Sequence, residues 1–159
     1  MNIYIMRHGQ AVHPSSWHRG DEIRPLSKEG KKEAAKAAQG LARAALSIQK
    51  ILSSPFDRAR ETAEIVGKEL GLAPMLIKDL ASGAKAEHFR KVVSVQPETS
   101  ILVVGHIPDL LAFACRLIND ALIMEEGLET AEVIAIETPP IHEGWAGGQV
   151  LWRKSPESW

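Results

Sequence analysis

The chain has 159 residues, 45% hydrophobic, 25% charged and 5% aromatic, with 19 basic and 20 acidic side chains and a net charge of −1. That length suits one domain spanning 1–159 and needs no disulfide; the single Cys115 has no internal partner and fits a reducing compartment. The even charge balance argues against a broad electrostatic grip on nucleic acid or an anionic membrane, but leaves room for a small anion pocket.

The first predicted element is a buried strand over Asn2 to Met6. Its apolar run is too short for a signal-peptide core and is closed by Arg7 and His8, so the expectation is a cytoplasmic chain. Gly9 permits a turn, and residues 10 to 26 form a long loop carrying His13, Trp17, His18, Arg24 and Pro25. A helix is expected from Ser27, its N-cap, to Leu46, with Ala34, Ala38, Leu41 and Ala45 facing inward and Gly30 and Gly40 weakening it. A second strand spans Ile48 to Ser53. Ser54 is then expected to cap a helix with Pro55 at its first position, Phe56, Ala59, Ala63, Val66 and Leu70 inward, and Gly71 at its end.

A brief strand near Met75 to Ile77 precedes a helix over Lys85 to Val95. The continuous apolar run within Ser100 to Val104 suits a parallel strand covered on both faces. Gly105-His106 turns it into a helix over Pro108 to Ile118, where Cys115 is expected as an inert core thiol. Glu132 to Glu137 and Gln149 to Arg153 are further strands, separated by a Pro- and Gly-rich loop over Thr138 to Gly148. Alternating strands and helices predict a three-layer α/β fold, a mostly parallel sheet with helices on both faces.

In such a fold ligands gather beyond the carboxyl ends of the strands. Three predicted strand ends carry Arg7-His8-Gly9, Ser53-Ser54 with Arg58 one turn on, and Gly105-His106. Two arginines and two histidines meeting there suit a dianion, since guanidinium forks pair with phosphate oxygens. Backbone N–H groups after His106, Ile107 first, would add donors at a helix start. Guanidinium charge disfavours imidazolium, and a neutral imidazole keeps the lone pair a nucleophile needs. Arg58 and Arg60 sit about 200° apart around a helix, so only one faces the site; Arg60, with Glu64 one turn on, reads as the exposed partner of an ion pair. Arg24 reads either as a third cation at the pocket or as a solvated loop residue. His13 and His18 fit no usual metal-ligand pattern and read as solvated, while Trp17 either flanks the substrate or covers core.

Arg7-His8-Gly9 after the first strand, Arg24-Pro25-Leu26-Ser27, Ser53-Ser54-Pro55-Phe56 with Arg58, and Gly105-His106-Ile107-Pro108 resemble the histidine phosphatase superfamily. Within it the chain looks most like the small bacterial phosphohistidine phosphatases of the SixA type, over about residues 1 to 137. The resemblance implies a phosphoglycerate mutase-like fold and attack by His8 on phosphorus, forming a covalent phosphohistidine. Arg7, Arg58 and His106 would hold the phosphoryl oxygens, without metal or other cofactor. For His8 to attack through Nε2, its Nδ1–H should donate to a backbone carbonyl. Mutase-like relatives carry a proton-donating glutamate after the third strand. Here Asp79 is the nearest acid, and a missing strong acid tilts the substrate toward the labile P–N bond of a phosphohistidine-bearing protein. A phosphatase of small phosphate esters and a non-catalytic phosphate-binding module are the alternatives.

Overall fold

The computed structural model describes residues 1–142, 144–145 and 147–159, so two positions of the predicted 138–148 loop, Glu143 and Ala146, lie outside it. Six strands, β1 (Asn2–Arg7), β2 (Lys50–Ser53), β3 (Met75–Leu76), β4 (Ser100–Gly105), β5 (Val133–Glu137) and β6 (Gln149–Lys154), form one sheet in the order β3-β2-β4-β1-β5-β6. β1, β2, β3 and β4 are mutually parallel, whereas β5 runs antiparallel to both β1 and β6. The sheet is therefore mostly parallel, with one reversed strand.

Side chains alternate across a strand, so each central strand feeds two cores. Ile3 and Ile5 of β1, with Ile101 and Val103 of β4, pack on one face against Phe89 of α3 (Ala86–Ser94) and Phe113 and Leu117 of α4 (Asp109–Ile118). Tyr4 and Met6, with Leu102 and Val104, pack on the other face against Ala37, Ala38 and Leu41 of α1 (Lys28–Arg43) and Ala59, Ala63 and Val66 of α2 (Asp57–Leu70). All these aliphatic strand residues are buried, as the unbroken apolar runs require. A short α5 (Ile123–Glu126), which has no counterpart among the predicted elements, precedes β5.

Two predicted helix boundaries shift. α1 starts as expected, with Ser27 Oγ accepting from Gly30 N–H, but it ends at Arg43 because Ala45 takes a positive φ of 49°. α2 begins at Asp57 rather than Pro55, with Phe56 in the cap position and no side-chain cap bond. Ser54, expected as the cap, instead accepts from the Phe56 N–H at 3.2 Å and pairs with His106 Nε2 at 2.7 Å. A long-range partner has claimed the hydroxyl that the local pattern assigns to the helix.

Gly30 belongs to a close contact rather than a weak point in α1. A Cβ there would lie 1.9 Å from the Gln10 carbonyl oxygen, and one on Gly9 would lie 2.5 Å from the Gly30 carbonyl oxygen. The turn after β1 is thus seated directly on the backbone of α1. The following loop is closed at its base by the Ala11–Leu26 bridge, by Val12 N–H donating to Pro25 O, and by Ser27 N–H donating to Gln10 O. Two 3₁₀ turns, Pro14–Ser16 and Asp21–Ile23, give it structure of its own.

Candidate active site

Register places the strand ends side by side. Arg7 of β1 pairs with Gly105 of β4, and Ser53 of β2 pairs with Val104. His8 and His106 leave adjacent strands, their ring centres 5.3 Å apart. Arg58 arrives from the first turn of α2, and its inward position makes it 5% exposed. Arg7, His8, Arg58 and His106 line one cavity of about 360 Å³, together with Arg24, Gln10, Ala11, His13, Pro14, Ser82, Ile107 and Thr130.

His8 is buried, and its Nδ1–H donates to the Gly9 carbonyl at 2.6 Å. That bond fixes the tautomer and leaves the Nε2 lone pair free of a proton. Burial is the largest influence on its acidity and disfavours the imidazolium. The Gly9 carbonyl opposes this, while Arg58, Arg7 and Arg24 add to it, and the pKa falls to about 4. His106 is lowered to about 3, first by burial and then by His8 and Arg58. Both imidazoles are therefore neutral at pH 7, one with a nitrogen available for attack.

The turn that carries His8 is tied to α2: the Gly9 N–H donates to Thr62 Oγ1 at 3.0 Å, and Thr62 Oγ1 donates to the Arg58 carbonyl at 2.7 Å. Thr62, one turn beyond Arg58, thereby fixes the spacing between the His8 turn and the Arg58 helix. The arginines are anchored as well. Arg7 NH1 donates to the Leu128 carbonyl at 2.8 Å. Arg58 NH1 and NH2 donate to the Asp21 carbonyl and carboxylate, and Arg24 donates from Nε to the same carboxylate and from NH1 to the Val12 carbonyl. After these bonds, Arg7 Nε, Arg58 Nε and His106 Nδ1 are buried and have no partner among the described residues. Buried polar groups are nearly always satisfied, so three such atoms in neighbouring side chains single this group out.

Arg24 is thus part of the cavity wall, its side chain only 14% exposed, and not a solvated loop residue. Arg60 is turned away and pairs with Glu64 at 2.9 Å and Asp57 at 3.3 Å. Ile107 stands two residues before α4 with its side chain exposed at the cavity mouth. Asp79 is not brought to this group: it is exposed on a 3₁₀ turn, Lys78–Leu80, and the residue from that stretch reaching the cavity is Ser82. Among the described residues lining the cavity there is no carboxylate. Trp17 does not line it either; its Nε1 donates to the Gly20 carbonyl within its own loop. His13 is exposed, as expected of a solvated loop residue, and also borders the cavity. Sequence reasoning also passed over Asp21, Thr62, Leu128 and Thr130, and only the contact between distant segments marks them. Cys115 is half-buried at the edge of the core beside a second cavity, less enclosed than expected.

No helix among the described residues is long and apolar enough to cross a membrane. Among the described residues no group of three or more His, Cys, Asp or Glu side chains is placed to hold a metal ion.

Comparison with known proteins agrees with this arrangement. The sequence model of the histidine phosphatase superfamily (branch 1) matches residues 3–82, a span that includes Arg7, His8 and Arg58. Phosphohistidine phosphatase SixA of Escherichia coli (strain K12) is 30% identical over 146 residues, 89% of this chain and 79% of that protein. The structure of a protein histidine phosphatase SixA complexed with tungstate superposes with a TM-score of 0.80 at 25% identity, covering 98% of this chain and 97% of that one. A crystal structure assigned to SixA from Agrobacterium tumefaciens gives a TM-score of 0.82 over 98% of this chain and 97% of that one; at 23% identity it speaks for the fold alone. The phosphoglycerate mutase-like expectation for the fold is met, and the chain belongs to the histidine phosphatase superfamily, branch 1, with relatives of the SixA type.

Proposed function

We propose that the chain is a phosphohistidine phosphatase, a single domain over residues 1–159 that removes phosphoryl groups from His-phosphorylated proteins through a covalent intermediate on His8. The observation that carries this reading is the cavity in which Arg7, Arg24, Arg58 and His106 surround a neutral His8 whose Nδ1–H is held by the Gly9 carbonyl. His8 Nε2 uses its lone pair to form a bond to phosphorus. The bond from phosphorus to the leaving atom breaks, and its electron pair leaves with that atom, which takes up a proton. Water then attacks the phosphohistidine, loses a proton, and the P–N electron pair returns to His8. Donors fixed before the reaction stabilise the charge that spreads over the phosphoryl oxygens in flight, which is where such donors act most strongly. The positive charge in this scheme comes from Arg7, Arg58 and Arg24.

The absence of a carboxylate from the described cavity lining favours a substrate that needs little acid assistance. A P–N bond to imidazole meets that condition better than an alkyl phosphate. The tungstate held by a SixA relative, a tetrahedral oxyanion, is consistent with a phosphoryl site. The test is a direct competition of substrates, a phosphohistidine-bearing protein against a panel of phosphorylated metabolites. The reading expects preferential hydrolysis of the first, and preference for a metabolite would overturn it. Rapid quench with labelled substrate separates catalysis from mere binding, because it should trap an acid-labile, base-stable phosphoenzyme.

A further inference from the structure

Arg58 is 5% exposed, yet two of its three nitrogens are already engaged by a single residue of the loop before α1. NH1 donates to the Asp21 main-chain oxygen at 2.8 Å and NH2 to Asp21 Oδ2 at 3.1 Å. The carboxylate's other oxygen, Oδ1, accepts from Arg24 Nε at 2.9 Å. We infer that Asp21 is a positioning residue that sets Arg58, and with it Arg24, in the orientation a phosphoryl group requires; this deepens the phosphatase reading and rests on it.

A guanidinium offers two bidentate faces to an oxyanion: the end-on pair NH1 and NH2, and the side-on pair Nε and NH2. Asp21 takes the end-on pair of Arg58. Three N–H donors remain, of which Nε–H and the second NH2 proton share one edge, and Arg58 Nε is a buried atom without a partner among the described residues. Arg7 repeats the arrangement with a different anchor, since Leu128 O holds NH1 and Nε is again left over. Both arginines thus leave Nε without a partner among the described residues, and each has its far end tied to a main-chain oxygen. Only Arg58 has a charged group in its anchor, and that group is shared with a third cation. An ordinary exposed ion pair would contribute little. This one differs because its arginine is buried, where a free guanidinium has several rotamers and no water to satisfy it. The same contacts hold the Asp21–Ile23 turn against the first turn of α2, so loop position and arginine orientation are set together.

The test uses Asp21→Ala and Asp21→Asn in the full chain, with an aryl phosphate as substrate and orthovanadate as the bound probe. Asp21→Ala should lower kcat about 10- to 100-fold with little change in KM, as expected when a transition-state ligand is misaimed. Asp21→Asn, which keeps an acceptor for NH2, should recover much of that loss. In an Arg58→Ala background, Asp21→Ala should cost several-fold less than in wild type, since the larger part of its effect passes through Arg58 and only the remainder through Arg24. A kcat within about twofold of wild type in Asp21→Ala, or an equal loss with and without Arg58, would overturn the inference. Vanadate affinity by calorimetry keeps the two readings apart. If the wild-type chain turns over no phosphate substrate, the functional reading fails. Asp21 is then judged on vanadate binding alone, which should weaken at least about tenfold in Asp21→Ala and which, if unchanged, rules the positioning role out.

Discussion

Two arginine clusters on this molecule show what separates a reactive site from a charged surface. At the carboxyl ends of β1, β2 and β4, Arg7, Arg24 and Arg58 are held by main-chain oxygens and Asp21 around neutral His8 and His106. Elsewhere, Arg90 and Arg116 flank Trp145, with guanidinium carbons 6.0 and 5.0 Å from its ring centre, and Arg116 and Trp145 border a larger cavity of about 530 Å³. There Arg90 is neutralised by Glu87 and Arg116 is exposed. Cavity size favours the second place, and Arg90 there is held too, by Glu87 and the Ile141 and His142 carbonyls; only the first, among the described residues, sets three cations around two neutral imidazoles. The difference is preorganisation, which charge counting does not register.

The sharpest way to break the comparison is to remove the nucleophile. His8→Ala should abolish phosphoenzyme labelling and lower kcat on the order of 10⁴-fold or more. Rapid quench that still traps label on this variant would move the chemistry elsewhere. Next comes Arg58→Ala, expected to cost about 10²- to 10³-fold in kcat, against less than about threefold for Arg60→Ala, its exposed neighbour. Steady-state kinetics on the pair tests whether helix face, and not local charge, decides function.

A smaller effect appears in the acid limb of the pH profile. In the proposed mechanism His8 attacks in its neutral form, and its pKa is lowered to about 4. Activity, corrected for ionisation of the substrate, should therefore hold through pH 6.5, where an ordinary histidine titrates, and be lost as pH falls through about 4. Arg58 charge helps depress that pKa, so in Arg58→Ala the residual activity should fade at a higher pH than in wild type. The smallest effect belongs to the other cluster. Arg90→Ala and Arg116→Ala should leave kcat/KM within about twofold of wild type, and a larger loss on a phosphohistidine protein would show that this second cluster takes part in substrate recognition.

Much of the site was legible because its parts lie where chain pattern changes. Apolar runs end at Arg7-His8 and at Gly105-His106, and a strand end must lie at the sheet edge whatever else surrounds it. Helical angle showed that Arg58 and Arg60 could not both face the site, and the Glu64 one turn beyond Arg60, with the family pattern, selected Arg58. Ser54 was misassigned because its local signal, a hydroxyl before proline, is the same for a cap and for a partner of a histidine 52 residues away. Asp21, Thr62 and Leu128 carry no local signal at all, since each acts through a contact with a segment it meets only after folding. Asp79 illustrates the converse: proximity in sequence to a motif position says nothing about reach, and its turn leaves it in solvent.

The reversed direction of β5 has a structural consequence of its own. A parallel strand delivers its C-terminal flank to the catalytic rim, whereas this strand delivers its N-terminal flank. Leu128 O and Thr130 reach the rim from that preceding stretch, with Ala131 N–H donating to the Arg7 and His8 carbonyls. Between Asn119 and Gly127 the exposed positions Asp120, Ala121, Leu122, Met124 and Glu125 can accordingly change upstream of that rim, while Ile123 stays in the core and Glu126 and the Gly127 carbonyl hold Arg153. Substrate-contacting variety can be grafted there without disturbing the crossovers that carry the histidines.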